Sequence, residues 1–283
     1  FKQKTAYEIM SGDWSSDVCS SDLRLFGAAP LDVTDEETGD HKVVDWALGE
    51  LARPADQPLF LAVGLFRPHI PWEVPPKWFE LHPLKDVKLP EHRPDDLGDA
   101  RDHGRRDWHR WVVENGLWEK FVQGYLASVS YVDHQIGRLL DGLDASPRRD
   151  HTIIVLWSDH GYHHGEKFDW GKHTLWERTS HVPLLISGPG ITKGAKIDAT
   201  VSLIDMFPTI TDLAGAKDDQ PRDGVSLAPV LKDPAAARDR DGLAELGGDA
   251  PDLPVVLLDQ LECPVGAGRY GLTFFECRHL PIT

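Results

Sequence analysis

Thr152-Ile153-Ile154-Val155-Leu156-Trp157-Ser158-Asp159-His160-Gly161 decides the fold. Its opening residues are β-branched or bulky and apolar without alternation, which predicts a strand buried on both faces, as strands of parallel sheets read. The run stops at an acid, an imidazole and a glycine. Open α/β sheets bind ligands just beyond the carboxyl ends of their strands, so Asp159 and His160 stand where such sites are built. His163-His164-Gly165-Glu166-Lys167 follows, then Lys172-His173, then a second strand-like run over residues 182–186. Together these read as half of a metal site that hydrolyses an anion.

Upstream, residues 40–53 carry Val43, Val44, Ala47, Leu48 and Leu51 at helical spacing, ended by Pro54. Residues 59–66 form a short apolar run, a second candidate for a buried parallel strand. His69 sits just past its end, within Arg67-Pro68-His69-Ile70-Pro71-Trp72. The span 71–107 is rich in Pro, Asp and His and predicts a long surface excursion. Residues 117–143 make the longest amphipathic helix, with Phe121, Tyr125, Val129, Val132, Ile136, Leu139 and Leu143 on one face. Residues 201–215 predict another helix, with Ser202 and Asp205 as a capping pair and Gly215 as its stop. Strand and helix in alternation define an α/β fold, a mainly parallel sheet with helices on both faces.

Residues 1–23, including Cys19, read as the translation of a sequencing-library adapter and are set apart from the fold. The gene is then expected to begin upstream, and the sheet to be incomplete. Residues 24–234 form the folded body. After Pro234 the texture changes: residues 235–283 show weak periodicity, Cys263, Cys277 and one strand-like run at 253–258, so they are either a divergent subdomain or a slipped reading frame.

With 46 acidic against 30 basic residues and a net charge of −16, nucleic acid and anionic membranes are poor partners. An anionic small substrate stays possible, because a metal ion and a few Lys or His side chains reverse the field inside one cleft. The cysteines show no zinc spacing. No apolar run reaches the roughly eighteen residues a membrane-spanning helix needs.

Asp159 and His160 make an oxygen and nitrogen pair suited to a divalent cation; alone, such a pair is more often a cap beside a structural histidine. Their place at a strand end favours the metal. Calcium and magnesium prefer oxygen shells, whereas imidazole suits zinc and its neighbours, so the residues leave the metal open. Lys172, a surface lysine by default, could place a charge on a substrate oxygen and neutralise the leaving group. His69 is open between a loop histidine locked by prolines and a group that holds or protonates an anionic oxygen. His163, His164 and His173 read as residues behind the site or bystanders; the remaining histidines read as surface or structural.

Phe66-Arg67-Pro68-His69-Ile70-Pro71-Trp72, Trp157-Ser158-Asp159-His160-Gly161, Gly165-Glu166-Lys167, Trp170-Gly171-Lys172-His173-Thr174-Leu175-Trp176-Glu177 and His181-Val182-Pro183-Leu184 form an ordered series. Over residues 24–234 it resembles the type I sulfatases of the alkaline-phosphatase-like fold, nearest the iduronate-2-sulfatase-like bacterial branch. The resemblance implies hydrolysis of sulfate esters on sugars or glycans. It places Asp159 and His160 on calcium ligands, and Lys172 and His69 on the residues that grip the sulfate and assist the leaving oxygen, with His163 a further substrate-binding candidate. It also implies periplasmic or secreted placement and a formylglycine nucleophile made within Cys/Ser-x-Pro-x-Arg. That motif is absent here, as is the paired aspartate of the family's N-terminal part, so this chain is expected to be inactive. The alternatives are a phosphoesterase or phosphonate hydrolase of the same superfamily, or a non-catalytic protein that binds anionic glycans.

Overall fold

The computed structural model describes residues 27–98, 106–174, 176–198, 201–236 and 273–276. The expectations for residues 1–23 and the run at 253–258 lie outside them. The chain divides into two compact units. The first runs to Arg149 and adds His164–Asp169; the second takes Asp150–His163 and the chain from Trp170 onward.

The first unit is built on one long helix. It contains strand β1 (Ala28–Pro30), helix α1 (Gly39–Leu51), strand β2 (Trp72–Val74) and helices α2 (Pro76–Glu80), α3 (Arg106–Glu114) and α4 (Trp118–Asp144). The helix expected on 117–143 is present, but its buried face is turned from the one read. Of the seven apolar residues named, only Phe121 and Leu143 are buried, beside Val122, Ala127 and Tyr131, and α4 packs against α1, α2 and both strands. β1 and β2 pair in parallel, Ala28 opposite Trp72. Gly124 of α4 allows the close approach, since a Cβ there would sit 2.5 Å from that of Ala28.

The span 71–107 corrects its sequence reading as a surface excursion. Trp72, Val74, Trp78 and Phe79 are buried, and the last three join Ala127 and Tyr131 in one cluster. Proline and acid content drew attention to turns, but the aromatic residues between them carry the packing. Asp35, buried, accepts from Trp78 Nε1 at 2.9 Å and pairs with Lys77 Nζ at 2.8 Å.

Residues 59–66 differ as well. They are not a strand among the described residues, and no hydrogen bond joins 59–65 to other described residues. Phe60 is 67% exposed. An apolar, uncharged segment whose N–H and C=O groups find no described partner is a template for edge-to-edge association.

Segment 164–169 is tied into the first unit by its backbone. Trp118 Nε1 donates to the His164 carbonyl at 2.7 Å, and Lys167 Nζ reaches the Asp96 carboxylate at 2.6 Å. Lys167 and Phe168 adopt positive φ, strain on the order of 1–3 kcal/mol each. Phe168 thereby reaches a box with Trp118, His92 and His109, whose two imidazoles stack at 5.1 Å.

In the second unit, β3 (Ile154–Trp157), helix α5 (Glu177–Ser180), β4 (Leu184–Ser187), β5 (Lys196–Asp198), helices α6 (Met206–Leu213) and α7 (Ala228–Lys232), and β6 (Thr273–Glu276) follow in order. The sheet runs β3-β4-β6-β5. β3 pairs antiparallel with β4, Ile154 opposite Ser187, and β4 antiparallel with β6, whereas β5 and β6 are parallel. The described pairings, with β1–β2, thus divide evenly where the sequence predicts a mainly parallel sheet. β3 also lies at the edge among the described strands, with Ile154, Val155 and Leu156 half-buried and Trp157 exposed, and is not buried on both faces. A parallel return needs a crossover, usually a helix packed on the sheet; the link between β3 and β4 holds only the short α5.

The core of this unit gathers Leu184 and Ile186 of β4 with Ile197, Met206, Leu227 and Leu231. The capping pair read from sequence is present, with Asp205 Oδ2 accepting from the Ser202 amide at 2.9 Å. Asp205 Oδ1 accepts from the Val225 amide as well, and Gly215 ends the helix at positive φ. No helix of the described residues is long and apolar enough to cross a membrane.

Phe60→Lys places a charge on the open segment, and the expected result is less self-association at fixed concentration, read by light scattering. A second expectation concerns pH. Burial first, then the neighbouring His92, push His109 from 6.5 down to about 4. The folded chain thus stays neutral at His109 where the unfolded chain takes up a proton. Stability is full above pH 6.5 and falls as pH drops towards 4. His109→Leu should flatten the fall of the urea midpoint across that window.

Candidate active site

His69 belongs to the first unit. Its loop hangs from Asp40 in the first turn of α1, whose carboxylate accepts the Phe66 amide at 2.8 Å and the Arg67 amide at 3.0 Å. Burial raises the Asp40 pKa, opposed by those bonds and by Arg67; burial likewise lowers Arg67, opposed by Asp40. The Arg67 guanidinium donates onward to the carbonyls of His69 and Pro71, at 3.0 and 2.6 Å. Both prolines follow cis peptide bonds. His69 Nδ1 lies 2.6 Å from the Ile70 carbonyl, which only accepts, so Nδ1 carries a hydrogen. Asp40 and Arg67 build this loop, and sequence reasoning assigned neither that work. The only signal was an acid in a helix's first turn.

Asp159 and His160 belong to the second unit and stand together just past β3. The Asp159 carboxylate is 81% exposed; its Oδ1 accepts the His160 amide at 3.0 Å, and its Oδ2 lies 3.4 Å from His160 Nε2. His160 Nδ1 is held by the Gly161 carbonyl at 2.8 Å, so in the neutral ring Nε2 presents a lone pair to a carboxylate oxygen. Two acceptors facing each other call for a positive charge, a proton or a cation. The pair therefore fits part of a cation shell. A calcium ion takes about 6–8 oxygen ligands, and among the described residues no cluster of three or more His, Cys, Asp or Glu completes one.

Lys172 lies in the same unit as Asp159. It is half-buried, and its side chain makes no hydrogen bond or ion pair among the described residues. His163 is wholly buried; its amide donates to the Gly171 carbonyl at 2.8 Å and its Nε2 meets Thr174 Oγ1 at 2.8 Å. Thr179 links this turn to the corner beyond β3. Its carbonyl accepts the Gly161 amide at 2.8 Å, while its hydroxyl reaches the Thr174 carbonyl at 2.8 Å and Thr174 Oγ1 at 3.0 Å. Neither threonine was singled out from sequence, where a hydroxyl in a loop carries no signal. His164 and Lys167 fall in the first unit, as does His69.

A carboxylate–imidazole corner at a strand end and a lysine on a clamped turn thus stand in one unit. The chain belongs to the sulfatase family, whose sequence profile matches residues 3–216, a span that takes in part of the opening segment set apart above. It is 40% identical over 215 residues to a sulfatase of Formosa agariphila, covering 74% of this chain and 42% of that protein. It is 32% identical to human iduronate 2-sulfatase, covering 66% of this chain and 42% of that one. The chain thus spans less than half the length of these relatives. Its fold is alkaline-phosphatase-like. The phosphonate monoester hydrolase of Silicibacter pomeroyi superimposes with a TM-score of 0.67 over 78% of this chain and 49% of the other, at 24% identity. At that identity the likeness speaks for the fold alone.

Gly161 holds the corner by having no side chain, since a Cβ there would stand 2.1 Å from the Arg178 carbonyl. Gly161→Ala should lower unfolding stability by about 1–3 kcal/mol. Gly49→Ala, on an open face of α1 with nothing within 4 Å, should be neutral or slightly stabilising. Urea titration of both variants measures the contrast.

Proposed function

We propose that the whole protein to which this chain belongs hydrolyses sulfate esters, on sugars or glycans, outside the cytoplasm. The observation that carries this is the family match over residues 3–216, spanning the Asp159–His160 corner and the Lys172 turn. Iduronate 2-sulfatase, by its name, acts on a sulfated sugar. Placement outside the cytoplasm rests on the family resemblance.

In this proposal Asp159 and His160 Nε2 are two of the donors to a calcium ion, with further oxygens from residues beyond them. The ion, when bound, supplies positive charge where the sulfate oxygens gather. Lys172 contributes a second charge to a sulfate oxygen and steadies the negative charge that grows as the ester bond breaks. His69 has Nδ1 tied to the Ile70 carbonyl, and in this proposal its ring holds, or gives a proton to, the leaving oxygen. The chain holds no Cys/Ser-x-Pro-x-Arg motif, so the nucleophile of the covalent route is not supplied by it, and the chain alone is inactive.

The test compares the complete protein with this chain on 4-nitrophenyl sulfate, a 2-O-sulfated hexuronide, and the matching phosphate and phenylphosphonate esters. The complete protein should release sulfate fastest, lose activity to a calcium chelator and regain it with calcium. Lys172→Ala should lower kcat/KM by about 10²–10³. Preference for the phosphonate ester, or full turnover by this chain, would overturn the proposal.

A further inference from the structure

We infer that His163 is a positioning residue for Lys172, acting through the turn that carries the lysine and not through contact with a ligand; this rests on the sulfate-ester function proposed above. Gly171 and Thr174 bracket Lys172 and His173, and His163 grips both ends. Its amide N–H donates to the Gly171 carbonyl at 2.8 Å, and its ring meets the Thr174 hydroxyl at 2.8 Å. Gly171 has φ +155°, a backbone state that side chains rarely adopt, so the turn is shaped at one end by glycine and held there by His163.

The direction of each hydrogen bond follows from counting hydrogens. Thr179 Oγ1 lies 2.8 Å from the Thr174 carbonyl and 2.9 Å from the Trp176 carbonyl. Carbonyls only accept, so the single hydroxyl hydrogen of Thr179 goes to them. The hydrogen between Thr174 Oγ1 and Thr179 Oγ1, 3.0 Å apart, then comes from Thr174. Thr174 has no second hydrogen to offer and accepts from His163, whose Nε2 therefore carries one. The order His163 to Thr174 to Thr179 to backbone carbonyl is fixed, and with it the tautomer of a neutral ring.

His163 is 0% exposed and has no surface to offer a substrate. What it controls is the freedom of the backbone beneath Lys172. A lysine on a loose turn must be ordered when an anion binds, and holding the turn beforehand removes part of that penalty. The half-buried amine, with no carboxylate partner among the described residues, is the group that benefits.

The experiment uses this chain and inorganic sulfate, with amide and Lys Nζ signals followed by NMR, alongside amide exchange at Lys172 and His173. His163→Ala and Thr174→Val should speed exchange at those two amides. They should weaken sulfate binding roughly three- to tenfold, as expected when one buried hydrogen bond is lost. His163→Gln, whose amide can donate from the same place as Nε2, and Thr174→Ser should restore both. A purely structural role predicts a lower unfolding midpoint with unchanged exchange at Lys172 and unchanged sulfate affinity in the folded chain, and that result overturns the inference. If Lys172→Ala abolishes sulfate binding while His163→Ala leaves exchange and binding as in the parent chain, the positioning role fails and the sulfate role of Lys172 stands. If Lys172→Ala binds sulfate like the parent chain, both fail.

Discussion

A threonine hydroxyl has one hydrogen to give and two lone pairs to offer, and Thr179 uses both capacities where the candidate site of the second unit is assembled. Its hydrogen satisfies a backbone carbonyl and its oxygen accepts from Thr174. Its own carbonyl takes the Gly161 amide. One buried residue thus joins, by its carbonyl and its hydroxyl, the segment that follows β3 to the turn that carries Lys172. Valine would have the same shape and keep the backbone bond to Gly161, but lose the hydroxyl bonds, leaving buried partners unsatisfied at about 1–3 kcal/mol each. The Asp159–His160 corner is exposed and makes its bonds locally, so its place depends on what lies behind it.

The long-range order of the chain was more legible than its sheet. The helix over 117–143, the helix over 40–53 and the Ser202–Asp205 cap declare themselves through spacing and local hydrogen-bond chemistry, which need no knowledge of distant residues. Strand pairing has no such local signature. The run at 152–157 reads as apolar whether its partner is parallel or antiparallel, and only the absence of a long crossover helix before β4 decides the matter. Residues 59–66 show the same limit from the other side. Their composition predicts a buried strand, but pairing is a property of the neighbour, and no described neighbour offers it, so they form no strand and Phe60 is exposed. In 71–107 the difference has another origin: Pro and Asp favour turns, but burial of Trp72, Trp78 and Phe79 outweighs turn preference in energy.

Site residues divided along a similar line. Asp159, His160, Lys172 and His69 stand out in the sequence as candidates because each is a chemically capable group at a marked place in the pattern. Asp40, Arg67, Thr174 and Thr179 do not, because their contribution lies in whom they touch. Gly165-Glu166-Lys167 is instructive in between. It is part of the series that resembles sulfatases, and the structure gives it a packing role: Glu166 caps the His164 amide at 2.7 Å, and Lys167 pairs with Asp96. A motif shared across a family marks a constraint without saying whether that constraint is chemical or architectural.

Under the proposed function, a net charge of −16 poses an electrostatic problem, since the overall field repels an anionic substrate. The arrangement of bonds suggests how the problem is met locally. The cations Lys77, Lys167 and Arg138 are each committed to a carboxylate, of Asp35, Asp96 and Asp45. Arg67, next to buried Asp40, is engaged with two carbonyls. Lys172 carries no such commitment among the described residues, and His160 Nε2 faces a carboxylate across a gap that suits a positive ion. Positive charge is thus neutralised where it supports the fold and left available on the turn behind β3. Screening over a Debye length of about 8 Å at physiological salt hides most of the distant acidic surface. A partly buried amine and a bound cation are screened far less, so the local field decides whether an anion is held.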